Sequence, residues 1–253
     1  SVSPETNSYV IYRENGGFTP IATVYGRFTT SYTDVTGSPT TQFETYTISA
    51  RDSCDNIGPF NNASQHTIYL TVTQINCSDE LLLNWNFYDN WTAGVFEYEI
   101  WVDRNFAGSA PVDDVTNTSN SYSLTGINDG DNVCITVQAK RADGTAVAVS
   151  NEVCLLVNIV QAADYTVIRN VTVNGPAQIG VEWYPDTNAD LENVSLQRSS
   201  DNTEYVNLTT YPIGLPIPVV DSYNDNSIAT NAISFYYRII TIDSCDNQDT
   251  SGY

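Results

Sequence analysis

The sequence predicts an all-β protein organised as tandem β-sandwiches, and three observations lead there. Among 253 residues, 17 Tyr, 8 Phe and 4 Trp stand against no Met at all, a bias toward side chains that suit pleated, half-buried surfaces. Apolar residues alternate with period two, as in Val133, Ile135, Val137 and Ala139, which marks strands with one buried face. The segment ISARDSCDN at 48–56 returns as ITIDSCDN at 240–247, so the same structural element occurs near both ends of the chain.

The other elements repeat in the same way. SYVIYR, FEYEIWV and NVSLQRS read as one strand in three copies, with Tyr9, Tyr98 and Val194 in register. The copies lie roughly 90 to 100 residues apart, the size of a seven-stranded sandwich. A Trp-bearing strand precedes two of them, as Leu81, Leu83 and Trp85 and as Ile179, Val181 and Trp183. In the middle copy Tyr122, Leu124 and Ile127 predict a further strand before the turn-rich stretch INDGDN. Near the two ends, Tyr46, Ile48 and Ala50 and then Tyr237, Ile239 and Thr241 are expected to form buried rows.

The order of Trp strand, Tyr strand, YxLxxI and VxIxVxA resembles the fibronectin type III pattern, an immunoglobulin-like β-sandwich. Laid over the chain with strands A to G, it predicts a first domain at 1–66 that lacks strands A and B. A complete domain follows at 67–158, and a third at 159–253 lacks strand G. The first and last sandwiches would be truncated by the ends of the fragment. Sandwiches without core strands expose apolar faces, so the parent chain is expected to extend both ways.

SYVIYR, ISARDSCDN, HTIYLTVTQINC followed by LNWNFYDNWTAGVFEYEIWV, and SNEVCLLVN resemble gliding-motility-associated surface proteins of the Bacteroidota. The resemblance implies a large adhesin or filament exported through the type IX secretion system, and hence an extracellular or outer-cell-surface location. Expected partners are neighbouring domains of the same longer chain and the outer-membrane machinery of that system.

Thirty acidic residues against nine basic ones give a net charge of -21. Such a field repels nucleic acid and anionic headgroups, and no apolar run is long enough for membrane insertion. The five cysteines show no CxxC spacing and read as disulfide partners in an oxidising compartment. Cys134 and Cys154 flank the Asp143-Gly144 turn at equal distances and are expected to bond. Two schemes remain for the rest: Cys77 with Cys245, leaving Cys54 for a cysteine upstream, or Cys54 with Cys77, leaving Cys245 unmatched.

No catalytic motif stands out, and the chain is expected not to be an enzyme. His66 is the only histidine, and at the entrance to a strand it reads as an ordinary hydrogen-bonding residue. The adjacent Asp113 and Asp114 read as turn acids. Asp186, Asn188 and Asp190 have the alternating oxygen spacing that opens calcium loops, but Leu191 and Gln197 break that pattern; calcium is the one cofactor weighed. Asp129 and Asp131 form a weaker version. Trp91, beside Phe87 and Tyr88, and outward-facing Trp101 are the candidate aromatic contacts for a glycan or protein ligand, with packing at the junction to the first domain as the alternative for Trp91. The leading functional expectation is a structural stalk or spacer, and the second is a protein- or glycan-binding module.

Overall fold

In the computed structural model, residues 5–60, 64–184, 186–212, 221–226, 228–230 and 232–251 are described. All regular structure among them is β, and the chain divides into two compact units, Ser1–Asn158 and Ile159–Tyr253. No helix is long and apolar enough to cross a membrane.

The first unit opens with β1 (Thr6–Glu14), β2 (Phe18–Tyr25), β3 (Thr45–Asp52) and β4 (Gln65–His66) in one antiparallel sheet of order β2-β1-β3-β4. It continues with β5 (Leu70–Gln74), β6 (Leu81–Trp85), β7 (Val95–Arg104), β8 (Ala110–Thr116), β9 (Ser121–Leu124), β10 (Asn132–Arg141), β11 (Val147–Val149) and β12 (Val153–Leu156). These eight form two sheets, β5-β6-β9 and β11-β10-β7-β8, with β12 also paired to β10. In the order A to G they place A, B and E in one layer and C′, C, F and G in the other, which is the fibronectin type III arrangement. Alternation along each strand puts Leu81, Leu83 and Trp85 in the core from one layer and Tyr98, Ile100, Val133 and Val137 from the other, all buried.

Strand G is closed onto the sandwich by polar side chains. The pairing of Gln138 with Val149 and of Cys134 with Cys154 differs by one residue in register, so the chain bulges between them. Ser150 meets the bulge by donating its amide to Val137 O and accepting the Val137 amide on Oγ, both at 2.9 Å. Asn151 then bridges to β5, accepting the Leu70 amide at 2.7 Å and donating to Leu70 O at 3.0 Å.

The second unit has β13 (Val167–Gly175), β14 (Gln178–Tyr184), β15 (Leu191–Ser199), β16 (Val206–Pro212), β17 (Ser222–Asp225), β18 (Tyr236–Asp243) and β19 (Gln248–Thr250). Its sheets are β13-β14-β17 and β16-β15-β18-β19, around a core of Ile179, Val181, Trp183, Val194, Leu196 and Ile239. A short strand at the G position, β19, pairs with β18, where the sequence reading expected none.

The first sheet corrects the expectation of a buried Tyr46, Ile48 and Ala50 row. Register makes Ile48 the counterpart of Val137 and Ile239: Ile11 faces Ile48, Ile100 faces Val137 and Leu196 faces Ile239. Val137 and Ile239 are 0% exposed, whereas Ile48 is 40% exposed and Ala50 is open to solvent. The buried side of this sheet is the opposite one, with Val10, Tyr12, Thr47 and Ser49, where Phe60 meets Tyr12 edge-on at 4.8 Å. Alternation tells which residues share a face; burial depends on a second layer, and among the described residues none of the other strands forms one over Ile48.

Candidate functional site

Strand register brings together a polar triad that occurs once in the first sheet and again in the second unit. Arg13 on β1 faces Tyr46 on β3, and Arg198 on β15 faces Tyr237 on β18. In the first copy Arg13 Nη1 lies 2.8 Å from Asp34 Oδ2, to which the Tyr46 hydroxyl also donates at 2.9 Å. In the third, Arg198 Nη1 is 2.7 Å from Asp225 Oδ2 and the Tyr237 hydroxyl donates to the same atom at 3.0 Å. Both carboxylates are buried, with side-chain exposures of 6% and 2%. The middle sandwich has Val102 opposite Ile135 at the same stations, with Leu124 completing the set.

Burial alone would push the Asp34 carboxyl upward. The Thr36 hydroxyl and amide, the Tyr46 hydroxyl and Arg13 outweigh it and hold the group at about 2. Burial and the hydrogen bond to Asp34 raise Tyr46 to about 12, and burial and the hydrogen bond to Asp225 raise Tyr237 well above the usual phenol value. These shifts belong to a closed internal network: each carboxylate is matched by a guanidinium and a phenol, so the triads organise the sheets and present no reactive group.

The signal that would have revealed the triad is a short repeat. SYTD at 31–34, SYSL at 121–124 and SYND at 222–225 occupy the same station; two of them are β9 and β17, while Ser31–Asp34 belongs to no sheet among the described residues.

Cys134 and Cys154 are directly paired across β10 and β12 and joined by a disulfide. Cys77 and Cys245 are each disulfide-bonded, while Cys54 is an exposed free thiol, so the alternative that joins Cys54 to Cys77 is not realised here. Both DSCDN segments fold into the same turn. Asp52 Oδ1 accepts the amides of Cys54 and Asn56 at 2.8 and 2.9 Å, and Asp243 Oδ1 accepts those of Cys245 and Asn247 at 2.8 and 2.9 Å. The hydrogen bonds to Asn56 and Asn247 hold both aspartates below the usual carboxylate range, against burial in the case of Asp243.

Trp91 lies half-buried against Tyr88, with ring centroids 4.5 Å apart, and Tyr88 in turn packs on His66 at 5.4 Å. In the tautomer that satisfies both ring nitrogens, His66 Nε2 donates to Asp89 Oδ1 at 2.8 Å and Nδ1 accepts from Asn86 Nδ2 at 3.2 Å. Asn90 Nδ2 donates to Ser64 O and Gln65 Nε2 to Asn90 O. The loop after β6 is thereby tied to the segment leading out of the first sheet, and His66 serves in that tie.

Trp101 is half-buried on the outward face of β7, and its indole N–H donates to Glu99 Oε2 at 3.3 Å. Glu97, Glu99 and Asp114 bring carboxylate oxygens within 4.8 Å of one another, a cluster missed in the sequence. Its cation is already supplied by Lys140, whose Nζ is 2.9 Å from Glu97 and also pairs with Glu99; hydrogen bonds to Glu99 and Glu97 raise the lysine well above its usual value. The other three-group cluster, Cys134, Glu152 and Cys154, has its sulfurs in the disulfide.

At the candidate calcium loop, both carboxylate oxygens of Asp186 accept backbone amides, Asn188 N at 3.0 Å and Asp164 N at 2.9 Å. Asp190 Oδ2 accepts Gln161 N at 2.9 Å, and Asn188 is exposed. Asp186 braces its own turn through the Asn188 amide, the Asx geometry that Asp favours, and Asp186 and Asp190 tie the loop to the Asp164 and Gln161 amides. Asp131 accepts from Asn105 and Asn128, and Asp113 accepts the Asp114 amide.

The strand order and core thus define a tandem array of fibronectin type III-like sandwiches. Among solved structures, the chain is similar to a two-domain fibronectin type III segment of chicken tenascin, at 13% identity over 72% of this chain and 95% of that one, with a TM-score of 0.30. It is also similar to the FN1–FN3 domains of chicken CNTN1, at 10% identity over 100% and 98%, with a TM-score of 0.35. No family model matches the chain, and no curated protein does.

Proposed function

We propose that the chain is a structural spacer within a large secreted surface protein, holding other modules at a distance. The observation that carries this reading is the internal use of the groups best suited to a ligand. Trp91 packs on Tyr88, Trp101 donates to Glu99, Asp186 and Asp190 accept backbone amides, and Lys140 occupies the acidic cluster. The bonded state of Cys77, Cys134, Cys154 and Cys245 supports an oxidising, extracellular setting. The surface adhesin of gliding bacteria, exported by the type IX system, is the finer form of the proposal and rests on the resemblance of SYVIYR, ISARDSCDN and the segments quoted with them.

Pulling single molecules from both ends tests the spacer. In the Cys77→Ser, Cys245→Ser variant under reducing conditions, residues 67–158 should unfold in one force-resistant step that releases about 30 nm at some 3.4 Å per residue. In the same variant under oxidising conditions that release should shorten by about 7 nm, because the disulfide spanning 20 residues is intact. Smooth extension without such a step would sink the reading. The second reading, a protein- or glycan-binding module, would then be pursued through Trp101 on the outward sheet.

A further inference from the structure

We propose that the Arg27–Phe28 peptide bond is a processing site for an endoprotease that cuts after arginine, and that strand pairing withholds the chain's other basic residues from such an enzyme. The inference goes beyond the spacer reading and does not depend on it.

Basic residues are scarce, nine in 253, and all nine are among the described residues. Eight of them lie within β1, β3, β7, β10, β13, β15 and β18. Arg27 stands outside any strand, two residues after β2, in the connection over 26–44 that leads to β3. An endoprotease draws several residues on each side of the cut into its cleft as one extended segment. Residues in a ladder must leave it first, and the cutting rate follows the population of that open form.

Protection is thinnest at the strand ends, and there the amide that follows each basic residue is held. Asp52 N, after Arg51, donates to Asn56 O at 3.0 Å; Asn105 N, after Arg104, to Asn132 O at 2.8 Å; and Ala142 N, after Arg141, to Gly94 O at 3.0 Å. The Phe28 amide, by contrast, donates to no group among the described residues. Phe28 is 82% exposed, and Thr29, Thr30 and Ser31 after it are exposed as well. Arg27 itself is half-buried. Its carbonyl accepts the Tyr9 hydroxyl at 2.8 Å, its guanidinium lies 5.3 Å over the Phe28 ring, and Thr29 N donates to Gly26 O at 3.1 Å. Opening this bond to a protease therefore breaks a few local contacts and no ladder, as is usual for exposed connections that are nicked.

Hydrolysis adds one water across the bond. The C–N bond breaks, the Arg27 carbonyl carbon becomes a carboxylate, and the nitrogen becomes the free amine of Phe28. The cut separates β2 from β3 in sequence, but β1 lies between them in the sheet order β2-β1-β3-β4. Pairing of Tyr9 with Ala50 and of Ile11 with Ile48 still joins the two pieces. The product is a nicked sheet that stays assembled, with new chain ends at Arg27 and Phe28.

Trypsin at a low ratio to the folded, oxidised protein is the test, with products mapped by intact mass after denaturation. The first cut should give 1–27 and 28–253, roughly tenfold or more ahead of any other basic residue, and the two pieces should elute together before denaturation. The reduced, urea-unfolded chain should be cut at all nine basic residues without that preference. Arg27→Gln should remove the early cut and leave amide exchange in β1 and β3 unchanged. A first cut after another basic residue, the same order of cuts in the folded and unfolded chains, or a folded protein left whole where the unfolded chain is cut at Arg27 overturns the processing site. Separation of the pieces without denaturant overturns the assembled product.

Discussion

Tyr237 donates its hydroxyl to Asp225 Oδ2 at 3.0 Å, on the same oxygen that receives Arg198 at 2.7 Å. The station is filled by Ile135, Leu124 and Val102 in the middle sandwich. One fold thus carries two solutions to the same space, a buried ion pair with a phenol and an all-aliphatic set. Charges taken out of water recover their desolvation cost only through good partners, and aliphatic replacements of similar volume are often as stable or more so.

Exchanging the two solutions tests this directly. Asp225→Ala should destabilise the second unit by about 3 kcal/mol, because it leaves Arg198 and the Tyr237 hydroxyl without their acceptor in a buried setting. Arg198→Val, Asp225→Leu and Tyr237→Ile together should leave it at least as stable as the unaltered protein. Urea unfolding followed by Trp183 fluorescence reads both. A triple variant weaker than Asp225→Ala would show that the triad is a net source of stability.

The equivalent triad in the first sheet sets a pH dependence. The Asp34 carboxyl moves from 3.8 to about 2, so the folded state binds its proton less readily than the unfolded chain. The resulting stability, about 2 kcal/mol, is fully present above pH 4 and is lost as pH falls through 2. Tyr46, raised to about 12, gives the opposite limb, with stability lost as pH rises from 10 through 12. Amide exchange of β1 and β3 between pH 5 and pH 2 should show the acid limb, and Asp34→Asn should flatten it. An unchanged slope in that variant would place the acid sensitivity elsewhere.

Most of the strand plan was legible because alternation reports a face directly: Val133, Ile135 and Val137 behave as their spacing says, as do Ile179, Val181 and Trp183. The phase of β3 was not. Ile48 has the right neighbours within its sheet and lacks the second layer that would bury it. The triads escaped notice because Arg and Asp in strands read as solvent-facing, and because Leu124 in the middle copy hides the kinship of SYTD and SYND. Asp186, Asn188 and Asp190 show the reverse problem. Their spacing is equally that of metal ligands and of a braced turn, and what it does not reveal is that Asp186 and Asp190 accept the Asp164, Asn188 and Gln161 amides.

The Cys134–Cys154 bond closes a loop of 20 residues. Chain entropy for that length corresponds to about 3 kcal/mol, reduced to the extent that the β10–β11 hairpin already brings the ends together. Cys134→Ser with Cys154→Ser should therefore lower the stability of the middle sandwich by about 2–3 kcal/mol without altering its strand pairing. Urea unfolding of the oxidised protein against the double variant measures the loss. A difference below about 0.5 kcal/mol would mean that the bond adds little beyond the existing ladder.

Tyr98 links the core of the middle sandwich to the loop that meets the first sheet. Its ring is buried beside Trp85 at a centroid distance of 5.5 Å, and its hydroxyl accepts the Tyr88 amide at 2.8 Å. Tyr98→Phe keeps the ring and removes the acceptor. The Tyr88 amide then lacks its partner, at a cost of about 1–3 kcal/mol, and the strain falls on the residue that packs against both His66 and Trp91. The expected result is a loss of that size in unfolding free energy, faster exchange at the Tyr88 amide, and a change in Trp91 emission that leaves the amides of β7 and β10 protected. Full stability in Tyr98→Phe would mean that water replaces the hydroxyl and that the loop is held by His66, Asp89 and Asn90 alone.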